Sequence, residues 1–169
     1  MGLHPISGQV SWGLQPPALD PVLPRFAVNG HGSFVAHVPT SDGHAWYSGA
    51  TFERHNASTE VSVQAHEHNF EKLNQLLPAI ADGLTAQWQD HESLNAWVGV
   101  RCASVNRLPK AGPLNEQRLA GLHVLSALGS RGLTTAMLCA QLVADRIEGK
   151  TPALSDALCK AMQCDLDAA

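Results

Sequence analysis

No apolar run in the chain approaches the roughly 20 residues needed to cross a bilayer, so no membrane-spanning helix is expected. The first residues, MGLHPISGQ, have neither a basic n-region nor an apolar h-region and do not read as a secretory leader. Ile6 stands where a myristoylation signal needs Ser or Thr. A cytoplasmic location without a membrane partner is the expectation. Charged residues are scarce, 15% against 44% hydrophobic, which suits a packed core and not a disordered chain. The formal net charge of −4 argues against a broad basic surface for phosphate backbones, so if this protein meets RNA most of the positive charge comes from elsewhere. Cys102, Cys139, Cys159 and Cys164 form no CxxC pair and no zinc-like spacing with His, so reduced thiols and no metal are expected. His66 and His68 are two residues apart, on different faces of a helix, and read as surface residues. No GxGxxG follows a strand, so the βαβ unit that binds the ADP part of a dinucleotide is not encoded here. No acid–base dyad stands out either.

What is present begins as β structure. Gly8 to Trp12 is a short apolar strand, and the proline-rich stretch from Pro16 to Pro24 is a connecting loop. Arg25–Val28 and Ser33–Val38 read as strands around the turn Asn29-Gly30, a strong hairpin signal because both residues tolerate positive φ. A turn at Thr40–His44 leads to a third strand, Ala45–Glu53. From Ser62 to Ile80 the period becomes helical, with Phe70, Leu73, Leu76, Leu77 and Ile80 on one side, and Asp82-Gly83 ends the run. Ala96–Ser104 is the next strand and Arg107–Pro113 a turn-rich crossing. Leu122–Leu128 is nearly all apolar and predicts a strand buried on both faces. Helices are expected over Leu133–Glu148, stopped by Gly149, and over Ser155–Met162.

Between that last strand and the long helix lies Gly129-Ser130-Arg131-Gly132. A helix N-terminus offers unpaired N–H groups and the positive end of the dipole. Glycines admit a ligand close to the backbone, and Arg131 adds a fixed charge. The same turn could equally serve the chain reversal alone.

Several segments carry a resemblance in order and spacing: GQVS near the start, GATFER at Gly49–Arg54, GVRCAS at Gly99–Ser104, RLP at Arg107–Pro109 and ALGSRGL at Ala127–Leu133. Together they resemble the C-terminal region of the D-amino-acid-oxidase-like flavoproteins. The nearest likeness is to the FAD-dependent oxidoreductase half of the bifunctional bacterial enzymes that make 5-methylaminomethyl-2-thiouridine in tRNA.

That resemblance implies FAD as cofactor and tRNA as substrate. It implies oxidation of the C–N bond of a carboxymethylaminomethyl group on the wobble uridine, hydrolysis of the resulting imine, and an aminomethyl product that a separate methyltransferase domain methylates. It also implies substrate-carboxylate binding by Arg101 and Arg131, because a guanidinium captures a carboxylate with two hydrogen bonds. Gly129, Ser130, Arg131, Gly132, Leu133 and Thr134 are implied to face the flavin pyrimidine, whose reduced form gathers negative charge. No side-chain base is then required. The family usually has Asp where Asn106 stands, and the ending KAMQCDLDAA lacks the Pro and Arg common in relatives.

The fold expected is α+β. An antiparallel sheet with one packed helix forms a substrate domain over 1–98. The last strand and helix of a FAD-binding domain follow over 99–169, with the N-terminal half of that domain and the methyltransferase domain supplied elsewhere, in cis or in trans. Alternatives are a piece of an oxidase for free glycine or sarcosine, and a truncated remnant without catalysis.

Overall fold

The structure, a computed structural model, describes residues 2–90, 93–115 and 118–164. It is an α+β chain that divides into two units, Ser7–Val100 and Met1–Ile6 with Arg101–Ala169.

The first of these is built on a sheet. Strands β1 (Leu3–Leu14), β2 (Val28–Asn29), β3 (Ser33–Thr40), β4 (Gly43–Gly49) and β5 (Glu53–Arg54) lie in the order β2-β3-β4-β1-β5, and β6 (Asn95–Ser104) also pairs with β1. The β2/β3, β3/β4 and β1/β4 pairs are antiparallel. Alternation along β1 and β4 sends Ser11, Gly13, Trp46 and Ser48 to one face, since Ser11 pairs with Ser48 and Gly13 with Trp46. Two helices, α1 (Val63–Leu76) and α2 (Pro78–Gln89), supply the rest of this core. Phe34, Trp46, Leu73, Leu84 and Trp88 are buried together, with Trp46 and Trp88 stacked at 5.0 Å between ring centroids.

Several expectations from the sequence need correction here. One helix was expected on the sheet and there are two. The run from Ser62 breaks at Leu77 because Pro78 cannot continue a helix but suits the first turn of the next. Asp82-Gly83 does not stop anything. It lies inside α2, where a Cβ on Gly83 would meet the Leu19 side chain at 2.8 Å, so the glycine permits close packing. β1 extends well beyond Gly8–Trp12, and of Arg25–Val28 only Val28 is in a strand. The third strand stops at Gly49, and Glu53–Arg54 forms a strand of its own.

His66 is not a surface residue. It is buried, with Ser11 Oγ 2.9 Å from its Nδ1, while Asn69 donates from Nδ2 to Gln9 O at 3.0 Å and to Ser11 Oγ at 3.1 Å. Polar groups placed inside a core must be bonded there, and this helix face carries a polar network that a hydrophobic pattern does not reveal. His68 is exposed and faces Glu71. The start of α1 is held by Gln9, which accepts from Ser62 N at 2.8 Å and donates to Ser62 O at 2.9 Å. Ser62 in turn caps Ala65 N.

The other unit holds a two-stranded antiparallel sheet, β7 (Lys110–Pro113) and β8 (His123–Ser126), with α3 (Gly132–Ile147) and α4 (Asp156–Ala161). Residues read as part of a turn-rich crossing therefore form a strand. β7 contains Gly112 and Pro113 and has no alternation to betray it. Ala111, Cys139, Leu142, Cys159 and Met162 form the core. β8 is not buried on both faces: Leu125 is exposed, and His123, Val124 and Ser126 are half-buried. Asn106 donates from Nδ2 to Ala161 O at 2.8 Å and accepts from Leu108 N. The amide tethers α4, which a carboxylate could not do by donation.

Among the described residues no helix is long and apolar enough to cross a membrane. Among them, too, no group of three or more His, Cys, Asp or Glu gathers in a way that could hold a metal ion. The four cysteines are free thiols, Cys102 exposed and the other three buried.

Candidate functional site

The turn between β8 and α3 has unusual backbone geometry. Ala127 lies at φ 53° and Gly129 at φ 67°, both in the left-handed region. For Ala this conformation costs about 1 kcal/mol, and such strain concentrates where the chain is shaped for a ligand. Gly129–Arg131 then form one turn of 3-10 helix leading into α3 at Gly132. No side chain caps α3, whose N-cap residue is Arg131. The Thr135 hydroxyl donates to Arg131 O, and no side chain accepts from the first N–H groups of the helix.

An open concavity of about 650 Å³ lies against this turn, lined by Leu128, Gly129, Arg131, Gly132, Leu133, Thr134 and Ala136. A Cβ on Gly129 would meet no atom within 4 Å, so this glycine serves its φ and the space in front of it, not packing. The sequence reading thus finds five of its residues, Gly129, Arg131, Gly132, Leu133 and Thr134, around one space. The Ser130 side chain lies outside the described structure. Arg101 is exposed on β6 and is not among the residues lining this concavity. Leu128 and Ala136 were missed. Both flank the glycine-containing turn, and proximity in sequence to that turn was the available signal.

The arrangement can do two things chemically. The start of a 16-residue helix that no side chain caps puts the positive end of the helix dipole toward negative charge placed over it. An exposed guanidinium beside them, that of Arg131, can hold a carboxylate. This fits the edge of a flavin that becomes negative on reduction. No element among the described residues fits the ADP portion of FAD, which needs a glycine-rich strand–helix turn of its own.

Two further concavities lie in the sheet unit. One, of about 500 Å³, is lined by Val63, His66, Phe70, Trp88 and Leu94, with Glu67, Glu71, Thr85 and Gln89. The other, of about 250 Å³, is polar and includes Ser7, Gln9, Thr51, Glu53 and Ser62. There Ser7 holds the loop after β5 and Gln9 the start of α1, while the Thr51 hydroxyl accepts from Gln9 N.

Comparison with known proteins places this geometry in a family. The family model for FAD dependent oxidoreductases matches residues 2–146. The tRNA 5-methylaminomethyl-2-thiouridine biosynthesis bifunctional protein MnmC of Polaromonas naphthalenivorans is 47% identical over 150 residues, which is 89% of this chain and 23% of that protein. The protein of the same name from Polaromonas sp. strain JS666 is 44% identical over 166 residues, covering 96% of this chain and 25% of its own length. The chain thus spans about a quarter of the curated relatives it matches. Among solved structures, glycine oxidase from Geobacillus kaustophilus superposes with a TM-score of 0.68 at 24% identity, over 100% of this chain and 40% of that one. Fructosamine oxidase (Amadoriase II) from Aspergillus fumigatus gives 0.65 at 14% identity, over 96% and 38%. At these identities the two oxidases establish the fold and nothing about substrate. By the family match, with the relatives' identity over most of its length, this chain belongs to the FAD dependent oxidoreductase family.

Proposed function

We propose that the chain is the C-terminal part of the oxidoreductase module of a longer enzyme that acts on the wobble uridine of tRNA. The substrate group is carboxymethylaminomethyl, and oxidation of its C–N bond followed by hydrolysis of the imine leaves an aminomethyl group. The observation that carries the reading is the identity of 44–47% over 89–96% of the chain to proteins named for 5-methylaminomethyl-2-thiouridine biosynthesis in tRNA. A flavin bound against the 129–134 turn supplies the acceptor for the two electrons.

The residues of this chain then have distinct tasks. The uncapped N–H groups at the start of α3 hold negative charge on the cofactor's pyrimidine edge. Gly129 and Gly132 keep the approach free of side chains. Arg131, beside that edge, and Arg101, on β6, supply cations for the carboxylate of the substrate. Residues 1–98 serve as the substrate domain, and residues 99–169 as the returning part of the FAD domain. The dinucleotide-binding unit, the methyltransferase activity and most of the basic surface for tRNA belong to other polypeptide, in cis or in trans, in the cytoplasm. Alone, the chain is expected to bind FAD weakly, because the ADP portion has no partner here.

The test is mass spectrometry of wobble nucleosides in cells deprived of their own enzyme and given the complete protein that carries this chain. Loss of the carboxymethylaminomethyl nucleoside with gain of the aminomethyl or methylaminomethyl form supports the proposal. Unchanged nucleosides, with peroxide formed from free glycine or sarcosine by the same protein, overturn it in favour of an amino acid oxidase.

A further inference from the structure

Helices α1 and α2 meet at Leu77 and enclose, toward their other ends, the concavity of about 500 Å³ in the sheet unit. That volume is in the range of small-molecule pockets. Much of its wall is apolar: Val63 and Phe70 of α1, Trp88 of α2, and Leu94 after it. The aromatic part of the wall is fixed by the core. Trp88 stacks on Trp46 at 5.0 Å, and its Nε1 donates to His66 O at 3.2 Å. Phe70 leans on Trp88 with ring centroids 5.1 Å apart and planes inclined at 46°.

The charge around this wall has one sign. Glu67 and Glu71 lie one turn apart on the same face of α1, both exposed and both lining the concavity. Among the described residues Glu71 faces the exposed His68 at 3.7 Å, and Glu67 meets no cation. No Lys or Arg lines the space. Trp88 and its neighbour Gln89 belong to the last turn of α2, where the helix dipole is negative and where no basic residue stands. Two carboxylates and a helix C-terminus beside aromatic rings complement a cation, and the apolar wall beneath them complements hydrocarbon.

We propose that this concavity is a binding site for a small organic cation, a protonated aliphatic amine. Its hydrocarbon body lies against Phe70, Trp88 and Leu94, and its ammonium group lies at the rim between Glu67 and Glu71. A neutral alcohol of the same shape loses the attraction of the rim. A carboxylate of the same shape is repelled by it, and a bare inorganic cation leaves the apolar wall in water. The site lies wholly within residues 7–100 and rests on neither the turn at Gly129 nor the proposed reaction.

The test titrates hexylammonium chloride into the full chain and follows binding by calorimetry and by the NMR shift of the Trp88 indole N–H. Saturable binding at one site is expected, with hexanol and hexanoate each at least about tenfold weaker. Glu67→Gln combined with Glu71→Gln removes both charges from exposed side chains, so the variant remains folded. It is expected to weaken hexylammonium at least about tenfold and to leave hexanol unchanged. Phe70→Leu keeps an apolar side chain but removes the ring, and is expected to weaken hexylammonium more than hexanol. No saturable binding, hexanol equal to hexylammonium, or affinity untouched by the double variant overturns the proposal. So does trilysine binding at least about tenfold more tightly than hexylammonium, which assigns the concavity to a basic segment of a partner protein. Because no catalysis is read out, failure here leaves the nucleoside assay free to support or refute the proposed reaction.

Discussion

Leu142 and Met137 lie five residues apart on α3 and face opposite environments. Leu142 is 2% exposed among Ala111, Cys139, Cys159 and Met162, whereas Met137 is 78% exposed. Truncating Leu142 to Ala removes buried carbons and leaves a cavity, a loss of about 3 kcal/mol within the usual span for such changes. That corresponds to roughly a 150-fold rise in the opening equilibrium of the helix. Met137→Ala removes a side chain that is already hydrated and inserts the best helix former, so the change should stay within about 0.5 kcal/mol. Every Trp, Tyr and Phe lies within residues 7–100, so intrinsic fluorescence cannot follow this unit. Amide exchange of α3 peptides by mass spectrometry can. The reasoning fails if Met137→Ala deprotects α3 as much as Leu142→Ala does, or if Leu142→Ala changes protection less than about fivefold, under 1 kcal/mol.

Gly129→Ala should cost the free chain about 1 kcal/mol in thermal denaturation, from the left-handed φ alone, since the new methyl meets nothing. In the complete flavoprotein the same methyl stands where the cofactor approaches, and an unchanged FAD affinity would remove the turn from the cofactor site. Arg131→Ala should raise KM for the carboxylate-bearing substrate more than it lowers kcat, and an unaltered KM would deny the guanidinium its role. Iodoacetamide should label Cys102 well before Cys139, because burial pushes the Cys139 thiol above its ordinary range. A raised folded-state value favours the neutral thiol, so the stability tied to Cys139 is present at neutral pH and lost as pH climbs past the unfolded thiol's pKa. Equal labelling rates for Cys102 and Cys139 would contradict this.

Much of this is legible in the sequence, for identifiable reasons. The turn at Gly129–Gly132 and the helix after it announce themselves through local chemistry, two glycines followed by a long apolar-rich run. The hairpin expected at Asn29-Gly30 forms between β2 and β3, but neither residue takes the positive φ that made the pair a turn signal. Features set by distant neighbours were not legible. Gly83 reads as a helix stop until Leu19 is seen against it. His66 reads as solvated until Ser11 is found beside it. Asp145 looks like part of a polar stripe with Thr134, Gln141 and Glu148, yet it is buried, with Gln141 donating to Oδ1 at 2.7 Å. Leu142 turns inward, while Met137 and Leu138 on the same helix are exposed. The apolar residues of α3 surround most of its circumference, so the pattern alone could not say which of its faces this chain covers.

The most direct test of the proposed activity is anaerobic rapid mixing of the complete FAD-loaded protein with substrate, following the visible absorbance of oxidised flavin. Bleaching by tRNA bearing carboxymethylaminomethyluridine, and far slower bleaching by glycine or sarcosine, is the predicted result. Rapid bleaching by the free amino acids with none by the modified tRNA would contradict it.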